Sequence, residues 1–124
     1  MHALIVDDSR AMRTLIGRMM NQLGFETSFA GNGKEALDRL QGAVRPDVAL
    51  VDWNMPEMNG FELLQAVRGS ASFNTMPLVM VTSETEMSQV SKALEHGASE
   101  YVMKPFTADI LREKLELLGL VTSE

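Results

Sequence analysis

The chain has 124 residues, no cysteine and a net charge of −6, and 45% of it is hydrophobic. That length suits a single domain, residues 1–124, with a real core, and the lack of cysteine excludes disulfides and thiol catalysis. The acidic balance argues against direct binding to nucleic acid or anionic lipid, which needs a basic footprint, and no apolar stretch approaches the roughly 18 residues of a membrane span.

Residues 3–7 read as a first strand, in which the apolar run Ala3, Leu4, Ile5, Val6 ends at Asp7 and Asp8. Because this strand starts almost at once, no signal or transit segment is expected, and a cytoplasmic setting is. Met12, Leu15, Ile16, Met19 and Leu23 follow the spacing of one helix face, and Gly24 stops that helix. Residues 25–30 form a second strand. Asn32 with Glu35 resembles a capping box, opening a second helix that runs to about Gln41. Pro46 marks the loop before a third strand, residues 47–52, whose apolar run ends at Asp52.

Residues 54–60 are a turn-rich loop, and Asn59 with Glu62 offers a second capping box for a helix that Gly69 ends. A polar loop over residues 70–76 precedes a fourth strand, 78–82. Ser83 with Glu86 is a third capping signal; Met87, Val90 and Leu94 then place one apolar face on a fourth helix, closed by Gly97. Residues 101–103 are a fifth strand. Thr107 caps a fifth helix with Leu111, Leu115 and Leu118 on one face, and residues 121–124 are expected to fray. Strand and helix thus alternate five times. Short connections and right-handed crossovers favour an α/β fold, a doubly wound five-stranded parallel sheet with helices on both faces. The ten methionines suit adaptable core packing or a pliable partner surface.

Open α/β sheets bind ligands at the carboxyl ends of their strands. Asp7, Asp8, Asp52, Thr82 and Lys104 all fall at or just past strand ends there. Two carboxylates about 5 Å apart repel by roughly 3 kcal/mol at an effective dielectric of about 20, so such a cluster calls for a cation. Carboxylates, a hydroxyl and an ammonium suit magnesium and a phosphoryl group, with Asp52, the single acid on the central strand, as the nucleophile. Taken singly, each residue has an ordinary reading: an aspartate after a strand caps a helix, a threonine ends a strand, a lysine is solvated. Their convergence on one edge carries the joint reading.

The set Asp7-Asp8, Asp52, Thr82 and Lys104-Pro105 resembles the receiver domain of two-component response regulators, across the whole chain. It is most similar to the single-domain chemotaxis regulators, through Asp52-Trp53-Asn54-Met55-Pro56, Met80-Val81-Thr82, Gly97-Ala98-Ser99 and Tyr101-Val102-Met103-Lys104-Pro105-Phe106-Thr107. The resemblance implies the flavodoxin-like strand order 2-1-3-4-5, of which the chemotaxis regulator is itself a standard example. It also implies that Asp52 is the phosphoacceptor. Magnesium would be held by Asp8 directly, Asp7 mainly through water, Asp52 and the backbone carbonyl of Asn54, with manganese expected to substitute. Thr82 and Lys104 would hold the phosphoryl group, and the Lys104–Pro105 bond is a candidate cis peptide.

The implied donor is a sensor histidine kinase, with acetyl phosphate as a small substitute. The domain would catalyse its own phosphorylation and autodephosphorylation, tuned at Asn54 and Glu84, without turning over an independent substrate. Thr82 and Tyr101 would form the switch, and a downstream protein would bind the face of helix four, strand five and helix five. Ile110 stands where regulators that dimerise on DNA through this face place an acid, so a monomer with no direct nucleic-acid or membrane partner is expected. Met87 stands where the chemotaxis regulator has a lysine, which leaves the output partner open. His2 and His96 carry no chemical role in this reading, and Trp53 either reports on the site or simply packs.

Three rivals remain. A phosphatase of the haloacid dehalogenase type would carry a second aspartate two residues after the nucleophile, where Asn54 stands. A flavin carrier would cradle phosphate after strand one, where Asp7 and Asp8 repel it. A degenerate receiver would act only as a docking module, against which the complete acid set argues. The chain is compatible both with a whole protein and with a receiver from a longer regulator.

Overall fold

The computed structural model describes residues 1–42 and 45–121; the expected fraying at 122–124 lies outside the described residues. In chain order the elements are β1 (His2–Val6), α1 (Arg10–Gln22), β2 (Glu26–Ala30), α2 (Gly33–Leu40), β3 (Val48–Asp52), α3 (Gly60–Arg68), β4 (Leu78–Thr82), a 3₁₀ segment (Glu84–Gln89), α4 (Val90–Glu95), β5 (Glu100–Met103) and α5 (Ala108–Leu117). All strand pairs are parallel, and the sheet order is β2-β1-β3-β4-β5. This is the doubly wound architecture expected from the alternation of elements and from the family resemblance.

Side chains alternate across the sheet, so each central strand feeds two cores. Leu4, Val6, Ala49, Val51, Leu78 and Met80 pack with residues of α2, α3 and α4, including Ala36, Leu64 and Ala93. Ala3, Ile5, Val48, Leu50, Val79 and Val81 pack on the other face with Ile16 and Met20 of α1 and Leu111 and Leu115 of α5. Burial on both faces explains why β1, β3 and β4 read as continuous apolar runs. Fully burying one Leu or Ile contributes roughly 1.5–3 kcal/mol, so the three central strands anchor the fold.

The helix starts follow local chemistry. Ser9 caps α1 by accepting the Met12 N–H, and Thr107 caps α5 by accepting that of Ile110. Asn59 and Glu62 form a reciprocal capping box at α3. At α2 the box is displaced: Asn32 accepts the Glu35 N–H, but the Glu35 carboxylate reaches the N–H of Gly31 rather than that of Asn32. Gly24 and Gly97 adopt φ of +96° and +107°, the left-handed region that lets the chain leave α1 and α4.

Two helix faces differ from the expected ones. On α1, Met12, Ile16, Met19 and Leu23 face the core as expected, with Gly17 and Met20 buried beside them, and of the expected face only Leu15 is exposed. The small Gly17 lets Phe29 of β2 approach until a Cβ at residue 17 would lie 2.9 Å from the ring, so the helix turns this side inward and Leu15 outward. The fourth helix is also shorter than expected. Residues 84–89 wind as a 3₁₀ segment, whose three-residue turn moves Met87 and Leu94 off a common stripe. Val90 is buried as expected, joined by Ala93, while Leu94 is exposed.

Candidate functional site

The carboxyl edge gathers the acids that β1 and β3 deliver. Val6 pairs in register with Val51, so Asp7 and Asp52 emerge side by side from neighbouring strands. One carboxylate oxygen from each of Asp7, Asp8 and Asp52 lies within 4.8 Å of the others. Asp7 and Asp52 are buried, and Asp8 is exposed at the mouth. Each carboxylate is a hard oxygen donor, and together they suit a magnesium-type cation that keeps part of its water shell.

Lys104 enters from the far side of the sheet. Its backbone N–H donates to the Thr82 carbonyl at 2.7 Å, extending the β4–β5 ladder, and the Lys104–Pro105 peptide is cis. The ammonium donates to Asp52 Oδ1 at 3.1 Å and to Asp7 Oδ2 at 3.3 Å. Burial, reinforced by the Asp7 charge and only partly relieved by Lys104, pushes the Asp52 carboxyl up to about 6. For Lys104, burial alone would lower the ammonium, but the Asp52 and Asp7 carboxylates outweigh it and raise it. One cation therefore serves two buried anions, and the pocket still holds more negative charge than it neutralises.

The backbone around Asp52 is closely packed. Gly60 donates its N–H to the Trp53 carbonyl at 2.9 Å, and a Cβ on Gly60 would stand 2.4 Å from the Asp52 carbonyl oxygen. The loop from Asn54 to Asn59 is further held by Met58, whose side chain fills the space over Gly33 at the start of α2. Asn54 is exposed beside the acids. Glu84 opens the 3₁₀ segment after β4, and its side chain lies outside the described residues.

Thr82 is fully buried at the end of β4, and its hydroxyl donates to the Met87 sulfur at 3.7 Å. Tyr101 is half-buried on the edge strand β5. The Lys114 ammonium sits 4.5 Å over its ring and also pairs with Glu100 at 3.2 Å. Met103 at the end of β5 and Ile110 in α5 are exposed. Trp53 is buried and stacks on Phe61 at 5.7 Å, and Phe61 in turn meets the His96 ring edge-on at 5.0 Å. His2 bonds Ser28 at 2.9 Å, on the first strand pair.

Two contacts had no signal in the sequence. Arg13, one turn into α1, donates to the Asp7 backbone carbonyl at 2.7 Å, while the Ser9 N–H donates to Asp7 Oδ1 at 2.8 Å. The Ser9 bond fixes the Asp7 carboxylate, and the Arg13 bond holds the backbone that carries it. An arginine six residues past a strand end reads as an ordinary helix residue until the fold brings it back.

A family model for the response regulator receiver domain matches residues 3–116. The chain is a response regulator receiver domain. It is 41% identical over 119 residues to the chemotaxis protein CheY1 of Helicobacter pylori, spanning 95% of this chain and 96% of that protein. It is 43% identical over 126 residues to the chemotaxis protein CheY homolog of Campylobacter jejuni, spanning 100% of this chain and 97% of that one. Among solved structures, the chemotaxis protein CheY4 of Vibrio cholerae superposes with a TM-score of 0.85 at 34% identity, covering 94% of this chain and 96% of that one. The receiver belongs with the CheY-type regulators of two-component signalling. Among the described residues, no helix is long and apolar enough to cross a membrane.

Proposed function

We propose that this receiver, acting as one unit over residues 1–124, accepts a phosphoryl group on Asp52 from a cytoplasmic sensor histidine kinase and later releases it to water. The observation that carries this reading is the Lys104 ammonium within 3.1 Å of a buried Asp52 that shares its pocket with Asp7 and Asp8. With its carboxyl raised to about 6, still below neutral pH, Asp52 is mostly ionised in neutral solution and available as the nucleophile.

In the transfer, an Asp52 oxygen attacks phosphorus as the bond from phosphorus to the donor nitrogen breaks, giving an acyl phosphate. Lys104 moves its hydrogen bond from the Asp52 carboxylate to a phosphoryl oxygen, keeping a charge-assisted bond throughout. The Thr82 hydroxyl donates to a second phosphoryl oxygen. Hydrolysis returns the Asp52 carboxylate and inorganic phosphate, with Asn54 and Glu84 orienting the water. Asp7, Asp8, Asp52 and the Asn54 carbonyl would hold magnesium, whose positive charge would let phosphoryl oxygens approach a group of acids.

The output follows from Thr82. Drawn toward the phosphoryl group, it frees space on the α4 side of β5, and Tyr101 turns inward from beneath Lys114. The exposed surface of α4, β5 and α5, with Leu94, Met103 and Ile110, then changes its affinity for a downstream protein, a two-state shift biased by one charge event.

The test is intact mass after incubation with magnesium and acetyl phosphate. Wild type should gain one phosphoryl group and lose it on standing; Asp52→Asn should gain none. A gain that survives Asp52→Asn, or no gain in wild type, overturns the assignment. Crystals with and without beryllofluoride should show different Tyr101 rotamers, and identical ring positions would remove the switch.

A further inference from the structure

Thr82 makes an unusual hydrogen bond for a residue with its proposed task. Its side chain is fully buried, so its hydrogen must be satisfied within the protein. Among the described residues it finds one acceptor, the Met87 thioether at 3.7 Å, and no hydrogen bond from its side chain to Asp52 or Lys104 accompanies it. A thioether is a weak acceptor on a flexible, unbranched stem. Met87 lies in the 3₁₀ segment that leads into the short α4, so the contact ties the end of β4 to the arm that carries the partner face.

We propose that Met87 is a positioning residue for Thr82: its sulfur holds the hydroxyl toward the α4 arm in the unphosphorylated protein, and activation requires that bond to be given up. The inference rests on the proposed function, in which Thr82 serves the phosphoryl group. A hydroxyl has one hydrogen to donate, so sulfur and phosphoryl oxygen compete for it. The charged oxygen is the stronger acceptor and wins, but it wins by less than it would against no acceptor at all. Met87 therefore biases the equilibrium toward the resting form without blocking the active one. The weakness of the bond suits this role, since a carboxylate in the same place would hold Thr82 against activation.

The experiment measures binding of beryllofluoride with magnesium by calorimetry for wild type, Met87→Leu, Met87→Gln, Thr82→Val and the Thr82→Val/Met87→Leu pair. Met87→Leu keeps the apolar volume and removes the acceptor, so it should bind about two- to fivefold more tightly, the range expected for one weak hydrogen bond. Met87→Gln restores an acceptor on an unbranched stem and should return affinity to the wild-type value or below it. In the Thr82→Val background, Met87→Leu should change nothing, because the coupling requires the hydroxyl. Unchanged affinity in Met87→Leu overturns the proposal, as does the same gain persisting without the Thr82 hydroxyl. Wild type that binds no beryllofluoride overturns the phosphoacceptor reading itself, and this inference falls with it.

Discussion

Helices α3 and α4 flank the same edge of the sheet, and they are built in opposite ways. The nine residues of α3 begin with a reciprocal capping box and place Gly60 against the Asp52 carbonyl. The six residues of α4 leave Leu94 exposed and follow a 3₁₀ lead-in, which has its own capping box of Ser83 with Glu86 and whose Met87 accepts the Thr82 hydroxyl. Backbone packed on backbone has no slack, whereas a flexible side chain on a weak bond does. The side that carries the acids is held in place, and the side that carries the proposed response is lightly held.

The sharpest way to break this comparison is Gly60→Ala. The added methyl meets the Asp52 carbonyl oxygen at 2.4 Å and the Trp53 Cα at 3.0 Å, neither of which can rotate away. A loss of about 3 kcal/mol or more is expected in urea unfolding, beyond ordinary overpacking. A loss below about 1 kcal/mol would mean that this side can yield after all.

Charge on the fixed side has a comparable effect. The Asp52 carboxyl sits near 6 in the fold against an ordinary 3.8, a gap worth about 3 kcal/mol. The native state binds this proton more tightly than the unfolded chain. Its contribution to stability is therefore fully present below pH ~4 and lost as pH rises through about 6. Without magnesium, Asp52→Asn should be more stable than wild type by up to about 3 kcal/mol near pH 8, with the difference vanishing near pH 4. Equal differences at both pH values would show that the pocket relaxes around the charge.

Caps offer a smaller contrast. Asn59→Ala removes the side-chain acceptor of the α3 box and should cost about 1 kcal/mol in thermal melts. Ser83 and Glu86 form a capping box at the 3₁₀ segment as well, but in Ser83→Ala the Glu86 carboxylate still accepts the residue-83 N–H at 3.0 Å, so that change should cost less than about 0.5 kcal/mol by the same measurement. Comparable losses would place α4 on the same footing as α3. An effect of similarly small size but opposite sign is expected at Glu57, held at φ 65° in the loop before α3. Glu57→Gly removes the left-handed cost of a side chain at the expense of chain entropy, for a net gain of roughly 0.5 kcal/mol. A net loss would mean that the glutamate side chain holds the loop.

Much of this architecture is written in local pattern. The runs ending at Asp7 and Asp52 mark the central strands because burial on both faces demands unbroken apolar sequence. Asn59 with Glu62 and the left-handed Gly24 and Gly97 are local devices, readable from a few neighbouring residues. The exposure of Leu15 and Leu94 was not readable in this way. Helix periodicity alone cannot show that Phe29 will crowd Gly17, or that residues 84–89 will wind as 3₁₀ and shift the phase of α4.

The types and order of the site residues belong to the sequence, since strand ends follow from apolar runs and parallel strands must present those ends together. The tertiary structure alone decided their environment. It buried Asp52 beside Asp7 with a single ammonium between them, brought Arg13 back onto the Asp7 carbonyl, and turned the Thr82 hydroxyl to a thioether. Charge balance and hydrogen-bond partners depend on distances between residues far apart in the chain, and those distances exist only after the sheet has assembled.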